Sequence, residues 1–205
     1  NPNEVRVLGV IRPTVEVVPA RTRTKHIGVL ATPGTVASES YVIELLKQDP
    51  TLVVTQQACP MWVPLIEAGE HLSEGADYFV EKYLTELLTR DPLIDTIILG
   101  CTHYPLLQPK IEAFLEKYEH TKLLIQNSKF KIISQGEIVA RSLADYLHRH
   151  TDIAERALKN RHALEDNSKF IIQNSKFITT ESATKFSESA SLFLSEPITA
   201  HHIEL

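Results

Sequence analysis

The chain has 205 residues, 43% of them hydrophobic and 23% charged, with a formal net charge of −5. That make-up fits an ordinary globular protein with room for one large domain or two small ones. It excludes a general nucleic-acid binder, which is normally basic, and no apolar run approaches the roughly 20 residues of a membrane span.

No secretory signal opens the sequence. Cys59 and Cys101 are the only cysteines, too few and too far apart for a disulfide framework, so the expected setting is a reducing cytoplasm. The chain starts at Asn1 and its single methionine is Met61; it reads as a fragment.

Residues 1–25 combine an apolar stretch, Val5 to Val18, with a basic connector, Arg21-Thr22-Arg23-Thr24-Lys25. His26 to Ala31 reads as a strand and Thr32-Pro33-Gly34-Thr35 as a turn. The apolar spacing of Val36, Tyr41, Ile43, Leu45 and Leu46 predicts a helix over Val36 to Lys47, stopped by Asp49-Pro50. Thr51 to Gln56 is a second strand, followed by the loop Gln57-Ala58-Cys59-Pro60. Val63 to Ala68 is a short helix with Gly69 just past its end. A longer one spans Ser73 to Thr89, with Ser73 as its N-cap and a stripe of Ala76, Phe79, Val80, Tyr83, Leu84, Leu87 and Leu88.

Asp91-Pro92 breaks that helix, and Ile97-Ile98-Leu99 is the signature of a buried parallel strand. Gly100 ends the strand, Cys101, Thr102 and His103 form the turn, and Pro105 suits the first turn of a helix reaching about Tyr118. Residues 122–133 hold a β-rich run, and a last helix runs from Ser134-Gln135-Gly136-Glu137 to His148. Strand and helix alternate throughout 26–148, which means βαβ units, a parallel sheet and an α/β fold with flanking helices.

Residues 151–205 are polar and rich in Ser and Thr. Asn-Ser-Lys-Phe occurs at 127–130, 167–170 and 174–177, too short and too irregular for a solenoid. Expansion of a short genetic repeat explains these copies, with no function of their own. Ile178 to Leu205 reads as a strand–helix–strand tail.

Cys101 follows a strand-ending glycine, beside a hydroxyl and an imidazole, where a helix start favours an anion. In open α/β sheets this is the edge that binds ligands. The thiol could be a nucleophile, a general base, a metal ligand or buried filling. A structural zinc site wants four ligands, which Cys59 and the scattered histidines do not supply, so no metal is expected. Cys59 is expected to be structural, and His148, His150, His201 and His202 to lie at the surface. Glu67 gains a role only if it reaches His103, because a carboxylate orients an imidazole.

Gly100-Cys101-Thr102-His103-Tyr104-Pro105-Leu106-Leu107 resembles the second cysteine motif of bacterial glutamate racemases. Four further blocks resemble the same family in the same order: Gly9-Val10-Ile11-Arg12-Pro13, Ala31-Thr32-Pro33-Gly34-Thr35-Val36, Gln57-Ala58-Cys59-Pro60 and Val63-Pro64-Leu65-Ile66-Glu67. The resemblance covers about residues 7–148.

The resemblance implies a two-domain α/β enzyme that interconverts L- and D-glutamate for peptidoglycan without metal or pyridoxal cofactor. Two thiols flank the substrate Cα, since one base cannot serve both faces. Position by position, it makes Cys101 the base that takes the proton of L-glutamate, His103 its assistant and Glu67 the carboxylate behind His103. Thr102 and Thr35 become substrate-binding residues, and Cys59 a family cysteine that is not the second base.

It also divides the chain into a remnant of the first domain and linker (1–25), the second α/β domain (26–133), a helix returning to the first domain (134–150) and an extension (151–205). The region carrying the opposite thiol has no counterpart in the sequence, so little racemisation is expected of this chain. A homodimer is open for the intact enzyme. The alternatives are a related aspartate-type racemase and a non-catalytic ligand-binding or regulatory module.

Overall fold

Four parallel strands, β1 (His26–Ala31), β2 (Val53–Ala58), β3 (Thr96–Leu99) and β4 (Lys131–Ile133), lie side by side in the order β2-β1-β3-β4. A computed structural model describes residues 8–121, 129–151, 153 and 176–204. The Asn-Ser-Lys-Phe copy at 167–170 lies outside the described residues, as does half of each other copy. The chain divides into two compact units, Asn1–Ala144 and Asp145–Leu205.

In the first unit the helices are α1 (Ile11–Glu16), α2 (Pro33–Ala37), α3 (Ser40–Gln48), α4 (Trp62–Glu67), α5 (Glu74–Arg90) and α6 (Gln108–Thr121). The start of α7 (Gln135–Arg149) also belongs to it. The two central strands are buried on both faces, as parallel strands covered by helices must be. Alternate side chains point opposite ways along a strand, and the core divides accordingly. Leu30, Ile97 and Leu99 join Trp62, Leu84, Leu87, Tyr104 and Ile111 on one face. Ile27, Val29, Ala31 and Ile98 join Val15, Val18, Tyr41 and Leu45 on the other. Within the apolar stretch before the basic connector, Ile11–Glu16 form helix α1, and Val15 and Val18 pack into the second of these cores; residues 5–7 lie outside the described residues.

Two elements differ from the sequence-based expectation. The single helix over 36–47 is two helices. Pro33 and the cap at Thr32, whose hydroxyl accepts from the Thr35 N–H, start α2 early. Glu39 then turns left-handed at φ 52°, and α3 begins afresh. Pro105 does not open an α-helix either. It sits in a 3₁₀ turn, Tyr104–Leu107, and α6 begins only at Gln108. The other placements within 26–121 agree closely, and of the β-rich run expected over 122–133 the described part holds β4, while 122–128 lie outside the described residues. Ser73 caps α5 by accepting from the Ala76 N–H at 3.3 Å, and Gly69 adopts φ 75° after α4, a backbone conformation that glycine takes without strain.

Asp95 ties the basic connector to the sheet. Its carboxylate accepts from the Thr22 hydroxyl at 2.7 Å, the Arg23 and Thr24 N–H groups at 2.7 and 3.0 Å, and the Thr96 hydroxyl at 2.9 Å. Burial alone would raise its pKa. These donors outweigh burial, and the carboxyl sits below its ordinary value. A depressed carboxyl stabilises the fold above the unfolded pKa and loses that contribution as pH falls through the folded one. Asp95→Asn is expected to cost about 1.5–3 kcal/mol at pH 7, the range for a hydrogen bond to a charged group. In urea titrations the gap from the unaltered chain should close below the usual aspartate value of about 3.9. A gap that stays constant down to pH about 2 would show that Asp95 acts through shape and not charge.

In the second unit, β5 (Phe177–Thr179) and β6 (Ala200–His202) pair in parallel around α8 (Ala183–Leu194), which is the strand–helix–strand pattern expected of the tail. The serines of α8 explain its composition. Ser187 and Ser191, one turn apart, each donate to a carbonyl four residues back. They also accept from the Ala200 and Ile198 N–H groups at 2.9 and 2.8 Å, which stitches the helix to the returning strand.

Candidate active site

The site forms where β1 and β3 leave the sheet. Their register pairs Leu30 with Leu99, and the Gly100 N–H extends the ladder by donating to the Leu30 carbonyl at 2.8 Å. A Cβ at position 100 would stand 3.0 Å from that carbonyl oxygen, 3.1 Å from Ala31 Cβ and 3.1 Å from a ring carbon of Tyr41. Only glycine lets the chain turn so close to β1. Cys101, Thr102 and His103 follow at the carboxyl edge of a parallel sheet, where such folds bind ligands.

Tyr104 anchors this turn from below. It is fully buried, its ring meets Trp62 edge-on at 4.7 Å, and its hydroxyl donates to the Cys59 carbonyl at 3.3 Å. The loop is thereby fixed to the exit of β2. The segment that follows the Cys101 turn in the chain is a 3₁₀ turn, and α6 starts only seven residues after the thiol. The helix-dipole support expected from the sequence is replaced by side chains.

Those side chains form a chain of contacts. Cys101 Sγ lies 3.7 Å from His103 Nδ1, and His103 Nε2 lies 2.6 Å from Glu67 Oε1. Glu67 ends α4, so the contact that the sequence alone could not show exists. One imidazole nitrogen faces sulfur while the other is held by a carboxylate, an arrangement that fixes the ring and can hold or move a proton at the thiol. Glu67 is 47% exposed and His103 23%. The thiol is half-buried, so the relay opens to solvent and to any molecule bound there.

The remaining predicted residues fall around it. Thr102 is exposed on the same turn. Thr35 sits at the exit of β1, its hydroxyl 3.0 Å from that of Thr32. Cys59 is 1% exposed and gives its S–H to the Gln57 carbonyl at 3.6 Å; burial pushes its thiol well above the ordinary range, the state of an inert, structural cysteine.

Of the histidines expected at the surface, 148, 201 and 202 are exposed, while His150 is half-buried and stacks on Tyr146 at 4.1 Å. Among the described residues no group of three or more His, Cys, Asp or Glu side chains converges as metal ligands would, and no helix is long and apolar enough to cross a membrane.

Tyr41 was legible only as an apolar position on a helix. Its hydroxyl accepts from the Gln135 amide beneath Gly100. The available signal was chemical, since a buried tyrosine hydroxyl needs a partner. A cleft of about 660 Å³ lies between α5 and α6, lined by Leu72, Val80 and Phe114 with Asp77 and Lys110. It is not the site, for none of Cys101, His103, Glu67, Thr102 and Thr35 borders it.

No protein-family model matches the chain. Individual proteins do. It is 44% identical over 108 residues to the glutamate racemase of Lactiplantibacillus plantarum, covering 53% of this chain and 39% of that protein. A solved glutamate racemase isoform from Bacillus anthracis matches 98% of this chain and 66% of its own, with TM-score 0.75 and 31% identity. The glutamate racemase of Francisella tularensis, solved with D-glutamate, matches 99% of this chain and 64% of its own, with TM-score 0.72 and 25% identity. The chain spans about half or less of the length of the curated relatives it matches.

Proposed function

Because this chain belongs to the glutamate racemase family, we propose that it carries one acid–base half of a cofactor-independent glutamate racemase site. The observation that carries the reading is the continuous Cys101–His103–Glu67 relay at the carboxyl edge of the sheet. Ionised Cys101 takes the α-proton of L-glutamate and becomes a thiol. The electron pair stays on Cα, delocalised into the carboxylate, until an acid on the opposite face returns a proton and D-glutamate forms. His103, oriented by Glu67, holds the proton balance at sulfur. Thr102 and Thr35 present hydroxyls at the two strand exits, where they bind the substrate's polar groups and help support the carbanion.

The opposite acid is not Cys59, which is buried and committed to the Gln57 carbonyl. On this reading it comes from outside the present sequence, in the portion of the relatives that the chain does not match. The protein works in the cytoplasm, where both thiols stay reduced, and its product supplies peptidoglycan.

The purified chain alone should therefore racemise L-glutamate at least about 100-fold more slowly than a whole relative, the lower range for losing one acid–base group. Chiral chromatography of the products measures this. Racemisation by the chain alone at a whole relative's rate would overturn the half-site reading.

A further inference from the structure

We infer that Tyr104 is a positioning residue for the relay: its buried hydroxyl sets α4 against the Cys101 turn so that Glu67 meets His103. The two carriers of the relay come from different parts of the fold. His103 rides on the turn after β3, and Glu67 ends α4, which starts just past β2. The contact between them, at 2.6 Å, tolerates little slippage of one carrier against the other.

Helix α4 depends on its neighbours for its place. It has six residues, and its N-cap, Met61, makes no side-chain hydrogen bond; so short a helix is marginal by itself. Its buried residues, Trp62 and Ile66, seat one face in the core, but apolar contact is non-directional. Direction comes from Tyr104. The phenol O–H donates to the Cys59 carbonyl at 3.3 Å, and the same carbonyl accepts from the Trp62 N–H at 3.3 Å where α4 begins. The Tyr104 ring also meets the Trp62 ring edge-on at 4.7 Å.

On its other side Tyr104 belongs to the turn. It follows His103 directly in the chain, and its N–H donates to the Cys101 carbonyl at 3.2 Å. One fully buried residue thus touches both carriers. Burial also raises its phenol, so the O–H stays protonated and available to the carbonyl.

The inference rests on the reading of the relay as acting on the Cys101 thiol. Its test is the proton position on His103, read by nitrogen NMR of the full chain labelled at histidine and assigned by its loss in His103→Gln. With Glu67 accepting at Nε2, the neutral ring carries its proton there and turns a bare Nδ1 to sulfur. Tyr104→Phe removes only the phenol oxygen. It should move the ring away from the Nε2–H form, as Glu67→Gln does. It should also slow iodoacetamide alkylation of Cys101 at pH 7 about two- to tenfold, the worth of one neutral hydrogen bond. Peptide mass spectrometry scores Cys59 separately. Adding Tyr104→Phe to Glu67→Gln should change neither readout further, because the hydroxyl acts through that carboxylate. Trp62→Phe slackens the other contact between Tyr104 and α4. It should shift the ring the same way by less, and it supplies the test if Tyr104→Phe fails to fold.

An unmoved tautomer would overturn the inference and leave the relay standing. So would a loss that adds in full to that of Glu67→Gln, since the hydroxyl would then act on the turn alone. Failure of the reading beneath it looks different. In that case Tyr104→Phe and Glu67→Gln both move the proton on His103, yet Cys101 is alkylated as fast as in the unaltered chain.

Discussion

Trp62→Ala is expected to destabilise the first unit by about 3–5 kcal/mol, the range for deleting a fully buried aromatic side chain. Trp62 is 0% exposed and meets Tyr104 at 4.7 Å and Tyr83 at 6.0 Å, both edge-on. Each such pair adds about 0.5–1.5 kcal/mol beyond area burial. One feature works against the tryptophan: its buried Nε1–H finds no hydrogen-bond partner among the described residues, a loss of about 1–3 kcal/mol. Trp62→Phe removes that orphaned donor and loses less volume than Trp62→Ala, so it should cost clearly less than Trp62→Ala does.

The two substitutions therefore separate packing from polarity. Urea unfolding followed by circular dichroism reads both, and the fluorescence of this sole tryptophan reads the unaltered chain. If Phe and Ala cost the same, the ring contacts carry little. The effect should also reach the site, because the ring that Trp62 supports belongs to Tyr104, which pins the Cys101 turn to β2. Trp62→Ala should change the rate at which iodoacetamide alkylates Cys101 even under conditions where the chain stays folded.

The fold was legible in the sequence because its strands are short, β-branched and set between helical stripes. Ile97-Ile98-Leu99 could be assigned to a buried parallel strand from composition alone. The helix boundaries were less legible. The break at Glu39 rests on one left-handed residue of a type that seldom adopts that conformation, and nothing in the apolar spacing of 36–47 announces it. Pro105 fits the first turn of an α-helix and a 3₁₀ turn equally well, so its presence could not tell them apart.

The site itself divides the same way. Cys101 and His103 are two residues apart, and their proximity follows from the chain. Glu67 and Tyr41 come from separate elements 34 and 60 residues upstream of Cys101. Only the sheet register and the packing of α3 and α4 bring them to one edge. The resemblance to a family anticipated Glu67, but it offered nothing for the contact of Tyr41 with Gln135.

A hybrid joining this chain to the third of the Bacillus anthracis relative that it does not match is expected to racemise glutamate, and there the relay can be taken apart. Cys101→Ser should lower kcat about 10²–10⁴-fold, because a serine hydroxyl cannot act as the base that removes the α-proton. Glu67→Gln should lower it by about tenfold, equivalent to about 1.4 kcal/mol and one charge-assisted hydrogen bond. The amide keeps the carboxylate's shape, but it can donate to His103 Nε2 and so reverse which imidazole nitrogen carries the proton. The effect is modest because Glu67 is 47% exposed and water can take part of its place.

The double variant decides the matter. Groups that act as a unit are not additive, so adding Glu67→Gln to Cys101→Ser should change nothing further. If the double variant instead loses another tenfold, the carboxylate acts on the substrate independently of the thiol, and the 2.6 Å contact with His103 serves structure alone. Glu67 would then belong with the pocket's binding groups, and Cys101 would depend for its reactivity on His103.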